Sequence, residues 1–399
     1  MPDEIKDLDI TTKLVHAGER QPSRGGQPVS TPIYATSTFT YPSMQEIDRV
    51  FAGEQPGYVY TRHGNPTLSA LEQAMLVAEE GATACVYASG MAALHAALIA
   101  SDLRAGSTVL TSQDVYGATT NLLFTVLSSF GVKTAATDFS DIDRLRETAR
   151  EVKPQVMIAE TISNPLLKIC DIEACSEIAR ENNARLIIDN TFASPYLCQP
   201  LKLGADMVVH SATKYLGGHA DATGGVVVSR DDMDSNALIG AMKLVGGVLS
   251  VWDAHMILRG VKTLALRMER QCHNARQLAE HLIGNNRLAR VHYPALTPDS
   301  GIELTRRILR APHSGALVSI ELKEQTREAA FRFMDALQLC VRSTSLGDVF
   351  TSVLHAASAS HRDLTPARRA ELGISEGLVR ISVGIESIDD IIADIEQAL

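Results

Sequence analysis

The chain has 399 residues, with 37 Lys plus Arg against 47 Asp plus Glu and a formal charge of -10. At roughly 150 residues per domain the length suggests two or three domains; the acidic balance argues against a nucleic-acid partner, whose phosphates call for a basic face. Hydrophobic residues make up 45% and charged residues 21%, which excludes a mainly disordered chain and leaves ample apolar material for a core.

The N-terminus, MPDEIKDLDI, is charged and lacks the apolar centre of a signal peptide. Residues 1–63 mix Gly, Pro, Ser and Thr with little periodicity, as in RQPSRGGQPVSTP, and read as an arm that wraps another surface. From residue 64 a rhythm sets in. NPTLSALEQAMLVAEEG is an amphipathic helix pattern ending at Gly81. The apolar runs ACVYAS, STVLTS, VKTAATD, QVMIAET, RLIIDNT, MVVHSAT and GGVVVS follow, most of them separated by helical or polar stretches such as DIEACSEIARENN. Alternating β and α with continuous apolar strands predicts an α/β fold, a mostly parallel sheet sandwiched by helices over 64–260. Near Gly260 the pattern changes. A long helix over Lys262–Ile283, the strand ALVSIEL, a helix over Glu324–Leu339 and the strand VRISVGI predict a smaller α/β domain over 261–399. The apolar stretch Met91–Ala100 is interrupted by His95 and falls short of the ~20 residues a membrane span needs. Six Cys without a C-x-x-C pair suggest reduced thiols in a cytoplasmic protein.

Ligands of open α/β sheets bind outside the carboxyl ends of the strands. After ACVY stand Ser89, Gly90 and Met91, opening the helix MAALHAALIA. That is either an ordinary strand-to-helix turn or an anion site, since a helix N-terminus presents free N–H groups and a favourable dipole. After the next strands come Asp114-Val115-Tyr116-Gly117, Ser163-Asn164-Pro165, Asp189-Asn190-Thr191, and Ser211-Ala212-Thr213-Lys214-Tyr215. Lys214 follows an apolar strand among hydroxyls and glycines, a setting in which a desolvated lysine becomes a nucleophilic amine; taken singly, a solvated lysine is the ordinary reading. Together, Lys214, Asp189 and the Ser89–Met91 turn suit pyridoxal phosphate. That cofactor needs a Schiff-base lysine, a partner for its pyridine nitrogen and a phosphate cradle.

On these residues the chain closely resembles the Cys/Met-metabolism group of fold-type I pyridoxal-phosphate enzymes, which includes cystathionine γ-synthase, cystathionine γ-lyase, methionine γ-lyase and the O-acylhomoserine sulfhydrylases. The segments that carry the resemblance are YVYTRHGNPT, ASGMAA, DVYGAT, ETISNP, DNTFASP, HSATKYLGGHAD, SLGD and GLVRISVGIE, spread over almost the whole chain. The resemblance implies that Lys214 holds the cofactor and shuttles protons, Asp189 pairs with the pyridinium, and Tyr116 stacks on the ring and assists near the leaving group. Ser89, Gly90, Met91, Ser211 and Thr213 would cradle the phosphate. Tyr60 and Arg62 would reach the phosphate of a neighbouring subunit, so that an arm, residues 1–63, serves another chain's site in a homotetramer built of active-site-sharing dimers. Arg380 would take the α-carboxylate of an amino-acid substrate, with Asn164 and Ser345 in support.

Substrate choice is where the sequence departs from the group. Cystathionine-handling members carry charges where this chain has Val59, Asn121 and Thr344, and Phe350-Thr351-Ser352 stands in place of their E-S-L. Methionine γ-lyases usually carry Cys after Tyr-Gly, where this chain has Ala118. The resemblance therefore implies γ-elimination from a homoserine-derived amino acid, such as methionine, homocysteine, cystathionine or an oxygen-linked substrate like canavanine. The alternative is γ-replacement by a transferase. A second motif, Gly373–Gly377 as G-x-S-x-G, would be a hydrolase elbow only between a strand and a following helix; here a charged helix precedes it and a strand follows.

Overall fold

The computed structural model describes residues 7–20, 26–296 and 300–399. Seven strands form the central sheet: β1 Thr83–Tyr87, β2 Thr108–Ser112, β3 Lys133–Thr137, β4 Val156–Glu160, β5 Arg185–Asp189, β6 Met207–Ser211 and β7 Gly225–Ser229, in the order β1-β7-β6-β5-β4-β2-β3. All neighbours run parallel except β7, which is antiparallel to both β1 and β6. Strands β4 to β7 are buried almost throughout, as expected of a sheet covered on both faces. The fold is the mostly parallel α/β sandwich that the pattern predicts.

Local chemistry sets the element ends. Asn65 caps the helix Pro66–Glu79 by accepting from the Thr67 N–H at 2.9 Å, and Pro66 fits the first helical position; such a cap stabilises by about 1 kcal/mol. The helix ends at Glu79, two residues before the expected glycine, because Glu80 itself takes the left-handed conformation at φ 55°. The apolar helix Gly90–Ala100 has Leu94, Ala97 and Leu98 fully buried beside β1 and β6. Each buried Leu is worth roughly 1.5–3 kcal/mol.

The second sheet, with order β10-β11-β12-β9-β8, comprises β8 Leu288–His292, β9 Leu317–Leu322, β10 Val341–Arg342, β11 Ser352–His355 and β12 Leu378–Ser382. The helices Arg327–Ala336 and Ile388–Ala398 pack on it around Phe333, Ile391 and Ile395. Residues 373–377 lie between the helix Pro366–Glu371 and β12, the reverse of a nucleophile elbow. All six cysteines are free and buried.

In the N-terminal segment, the helix Ile10–His16 packs on the chain itself: Ile10, Leu14 and Ala17 join the core around Leu68 and Leu71. Residues 33–60 differ. Their helix, Met44–Phe51, buries no residue, and Met44, Phe51 and Tyr60 stand exposed. Among the described residues no helix is long and apolar enough to cross a membrane.

Candidate active site

The carboxyl ends of β4, β5 and β6 open onto one cavity of about 510 Å³. Strand β6 delivers Lys214 through a turn closed by Lys214 N–H to Ser211 O (3.2 Å) and Gly218 N–H to Lys214 O (2.8 Å). Buried Arg267, on the helix Leu264–Leu282, donates to the carbonyls of Tyr215 (2.7 Å) and Gly260 (2.8 Å) and pins that turn from behind. Gly347, at φ +81°, lets the Ser345–Gly347 segment close on it: a Cβ there would stand 2.7 Å from the Tyr215 nitrogen. The Lys214 amine donates to Ser345 Oγ at 3.1 Å. Burial lowers its pKa, the nearby Arg380 charge lowers it further, and Asp348 opposes them.

Asp189 ends β5, in register with Glu160 on β4. Its Oδ1 accepts from both the N–H (2.9 Å) and the hydroxyl of Thr191. Burial raises the carboxyl's pKa, while these bonds and the charge of His210 pull it back. Behind the sheet lies a buried polar cluster. His210 Nε2 meets Glu79 Oε1 at 2.6 Å, Asn190 donates to the same oxygen at 3.1 Å, and Thr161 donates to Asn190 at 2.7 Å. These bonds lock the strand ends that carry Asp189 and Ser211. Glu160 accepts from the Tyr116 N–H at 2.6 Å, so it sets the turn that presents the Tyr116 ring to the cavity.

Ser89 caps the helix Gly90–Ala100, accepting from the Ala92 N–H at 3.1 Å. This leaves the Gly90 and Met91 N–H groups as open donors at a helix N-terminus, an arrangement suited to an anion. A Cβ on Gly90 would lie 2.8 Å from the Ser211 Cβ, so only glycine allows the helix start and β6 to approach closely enough to form a cradle with Ser211 and Thr213.

Arg380, on β12, enters from the second sheet and is 3% exposed. It donates to Asn164 Oδ1 (2.9 Å) and the Ser345 carbonyl (3.2 Å), and lies 5.9 Å from the Phe192 ring centroid. Its Nε is buried without a partner. Burial lowers its pKa to about 10, which keeps it charged at neutral pH. A buried guanidinium with an uncommitted N–H is a receptor for a carboxylate.

Of the residues expected at the site, Ser89, Gly90, Met91, Tyr116, Asn164, Asp189, Ser211, Thr213, Lys214, Thr344 and Arg380 line the cavity. Ser345 joins them through Lys214 and Arg380. Val59, Tyr60, Arg62 and Asn121 are not among the lining residues. Arg62 donates to the Lys243 carbonyl at 2.6 Å beside the exposed Tyr60 ring, and Asn121 bonds Asp363 at 2.8 Å. Sequence reasoning assigned no role to Glu160, Thr191, Phe192, Leu354 and Ser360, which also line it. The signal for Glu160 was present, a carboxylate ending the apolar run QVMIA. In the lysine loop, His219 bonds the Gly217 carbonyl at 2.8 Å, a structural contact.

A buried amine of lowered basicity, a carboxylate, an anion cradle and room for a heteroaromatic ring fit pyridoxal phosphate. A family model for the Cys/Met metabolism PLP-dependent enzymes matches residues 11–399. The chain belongs to this family. Its cofactor is pyridoxal 5'-phosphate. It is 44% identical to an L-methionine gamma-lyase of Pseudomonas putida, over 98% of this chain and 97% of that one. It is 42% identical to the L-methionine gamma-lyase of Fusobacterium nucleatum subsp. polymorphum, over 99% of each. Among solved structures, a candidate O-acetylhomoserine (thiol)-lyase from Campylobacter jejuni, containing N'-pyridoxyl-lysine-5'-monophosphate, superposes with a TM-score of 0.92 at 30% identity, over 98% of this chain and 99% of that one.

Proposed function

We propose that this enzyme is a γ-lyase that eliminates an uncharged sulfur substituent from Cγ of an L-amino acid, with L-methionine as the leading substrate. The observation that carries the reading is the wall of the cavity beyond Arg380. Ile162, Phe192, Leu346, Leu354 and Ala359 are apolar and Thr344 is neutral, so among the described residues of that wall no charge waits for a second amino-acid end. The two methionine γ-lyases at 42–44% identity support it. Canavanine, the oxygen-linked possibility, finds no support in the relatives named above.

Arg380 binds the α-carboxylate, held in place by Asn164 and the Ser345 carbonyl. The Ser89–Met91 turn, Ser211 and Thr213 would hold the cofactor phosphate, and Asp189 would pair with the pyridine nitrogen. Bound pyridoxal phosphate supplies an electron sink for the charge left when Cα loses its proton. Lys214, whose amine is partly desolvated, takes that proton and, once it has passed it on and is neutral again, takes one from Cβ. Tyr116 stands over the cavity to protonate the departing sulfur. Water then releases 2-oxobutanoate and ammonia alongside the thiol. The segment 33–62, the part of the expected arm that does not pack on its own core, brings Tyr60 and Arg62 to a second copy's phosphate, which makes the working unit a dimer or a tetramer of two such dimers in the cytoplasm.

The test offers methionine, homocysteine, cystathionine and O-acylhomoserines, each with and without an added thiol. 2-Oxobutanoate from methionine alone is the expected result. A new amino acid formed only when thiol is added would overturn the lyase reading in favour of γ-replacement.

A further inference from the structure

Two carboxyl groups lie side by side at the bottom of the cavity. Glu160 ends β4 and Asp189 ends β5, and the two are direct partners in the parallel ladder. Both are largely shielded from water though they line the cavity, and neighbouring shielded carboxyls do not both ionise.

The hydrogen bonds decide which one keeps its proton. Asp189 receives two donors from Thr191 and has His210 behind it across the sheet. Glu160 receives one short bond, from the Tyr116 N–H to Oε1, and its Oε2 is buried without a partner. Leaving an anionic oxygen buried and unpaired is expensive, whereas a hydroxyl at that position carries no charge to desolvate. The other groups facing Glu160 do not change the sign: the Asn164 N–H also pulls its carboxyl down, but less than burial and Asp189 push it up. Asp114, paired with Lys168, adds negative charge, and Arg380 already spends N–H groups on Asn164 and Ser345. Burial and the Asp189 charge push the Glu160 carboxyl well up.

We propose that Glu160 works as a neutral acid, a positioning residue whose carbonyl oxygen holds the Tyr116 turn while its proton leaves Asp189 as the anion of the pair. The inference rests on the placement of Asp189 against the cofactor nitrogen. It gives the strand-end pair a division of labour, with one carboxyl holding the charge and the other the geometry.

The test is infrared difference spectroscopy on the holoenzyme at neutral pH, wild type minus Glu160→Gln. A protonated carboxyl gives a C=O stretch above the amide I region, and the amide variant removes it. The difference is read rather than the band alone because buried Glu72, pushed up to about 7, contributes its own. The expected result is a carboxylic-acid band lost in Glu160→Gln. In kinetics, Glu160→Ala lowers kcat about tenfold by freeing the Tyr116 turn, and Glu160→Gln, which keeps an acceptor for the Tyr116 N–H, recovers most of that loss. A band absent from wild type, or unchanged in Glu160→Gln, overturns the proposal. So does a glutamine variant that fails to assemble as holoenzyme, since an isostere of a neutral group removes nothing essential. A protein that proved to be a γ-replacement enzyme would leave the infrared difference untouched, so the two readings fail separately.

Discussion

The two sheets contribute to the site in different ways. The seven-stranded sheet supplies Lys214, Asp189, Glu160, Ser211 and Thr213 from the carboxyl ends of neighbouring strands, where a parallel arrangement gathers polar groups at one edge. The second sheet is largely antiparallel, and its strands send in one guanidinium, Arg380. It meets the lysine through Ser345, which bonds both side chains. On the proposed function, the difference is a separation: the large sheet would perform proton transfer and the small sheet would grip the substrate.

The largest effect expected of any single change lies in the large sheet. Lys214→Ala removes the group that, on the proposed function, takes protons from Cα and Cβ. Turnover should fall by about 10⁴-fold or more, while circular dichroism stays native because the side chain projects into a cavity. Full activity in this variant would break both the separation and the family's chemistry for this chain.

Arg380→Lys tests the other half. Lysine keeps a charge but cannot bond Asn164 and the Ser345 carbonyl and still offer N–H groups to a carboxylate. Loss of one or two charge-assisted hydrogen bonds corresponds to about 1.5–3 kcal/mol, or roughly 10–100-fold in kcat/KM. The loss should fall mostly on KM. A fall confined to kcat would show that the small sheet takes part in chemistry after all.

The strand ends were legible in the sequence because each apolar run stops at a polar residue, and the parallel fold converts that punctuation into a site. Other parts were hidden for physical reasons. Leu354 reaches the cavity from β11 itself, and Ala359 and Ser360 from the segment that follows it, a tertiary arrangement with no local signature. The helix Met44–Phe51 did carry a signal that its Gly- and Pro-rich surroundings masked: Ser43 and Glu46 make the S-x-x-E capping pattern, and Ser43 accepts from the Glu46 N–H at 3.3 Å. Tyr60 and Arg62 were legible by motif, yet one chain's fold does not bring them to its own cavity.

Arg62 thus offers a smaller and more selective test. If it serves a partner's phosphate, Arg62→Ala should weaken cofactor binding about tenfold, the order of one charge-assisted hydrogen bond, without altering the pH profile set by Lys214. Mixed oligomers of Arg62→Ala and Lys214→Ala chains should recover activity, because both defects then fall in one site of the pair and the other site is intact. Hybrids no better than the average of their parents would refute the shared site.

The smallest effect should come from Asp394, in the second sheet's own layer and away from the cavity. On the helix Ile388–Ala398, it accepts from the N–H groups of Gln338 (2.8 Å), Leu339 (2.9 Å) and Cys340 (2.8 Å), tying the last helix to the turn before β10. Burial pushes its carboxyl up, but these three donors outweigh burial and hold it below the usual value. A carboxyl whose folded pKa is depressed stabilises fully above its unfolded value of about 4 and loses that contribution as pH falls through the folded value. Asp394→Asn should therefore lower the unfolding free energy by about 2 kcal/mol at pH 7 and leave kcat and KM unchanged. The stability gap to wild type should stay flat from pH 8 to about 5 and narrow only below about 4, followed by denaturant titration at each pH. A gap that instead widens on acidification would mean that the bonds do not depend on the charge. A change in KM would show that the layer holding Arg380 transmits strain to it, and the separation between gripping and chemistry would have to include the packing behind the grip.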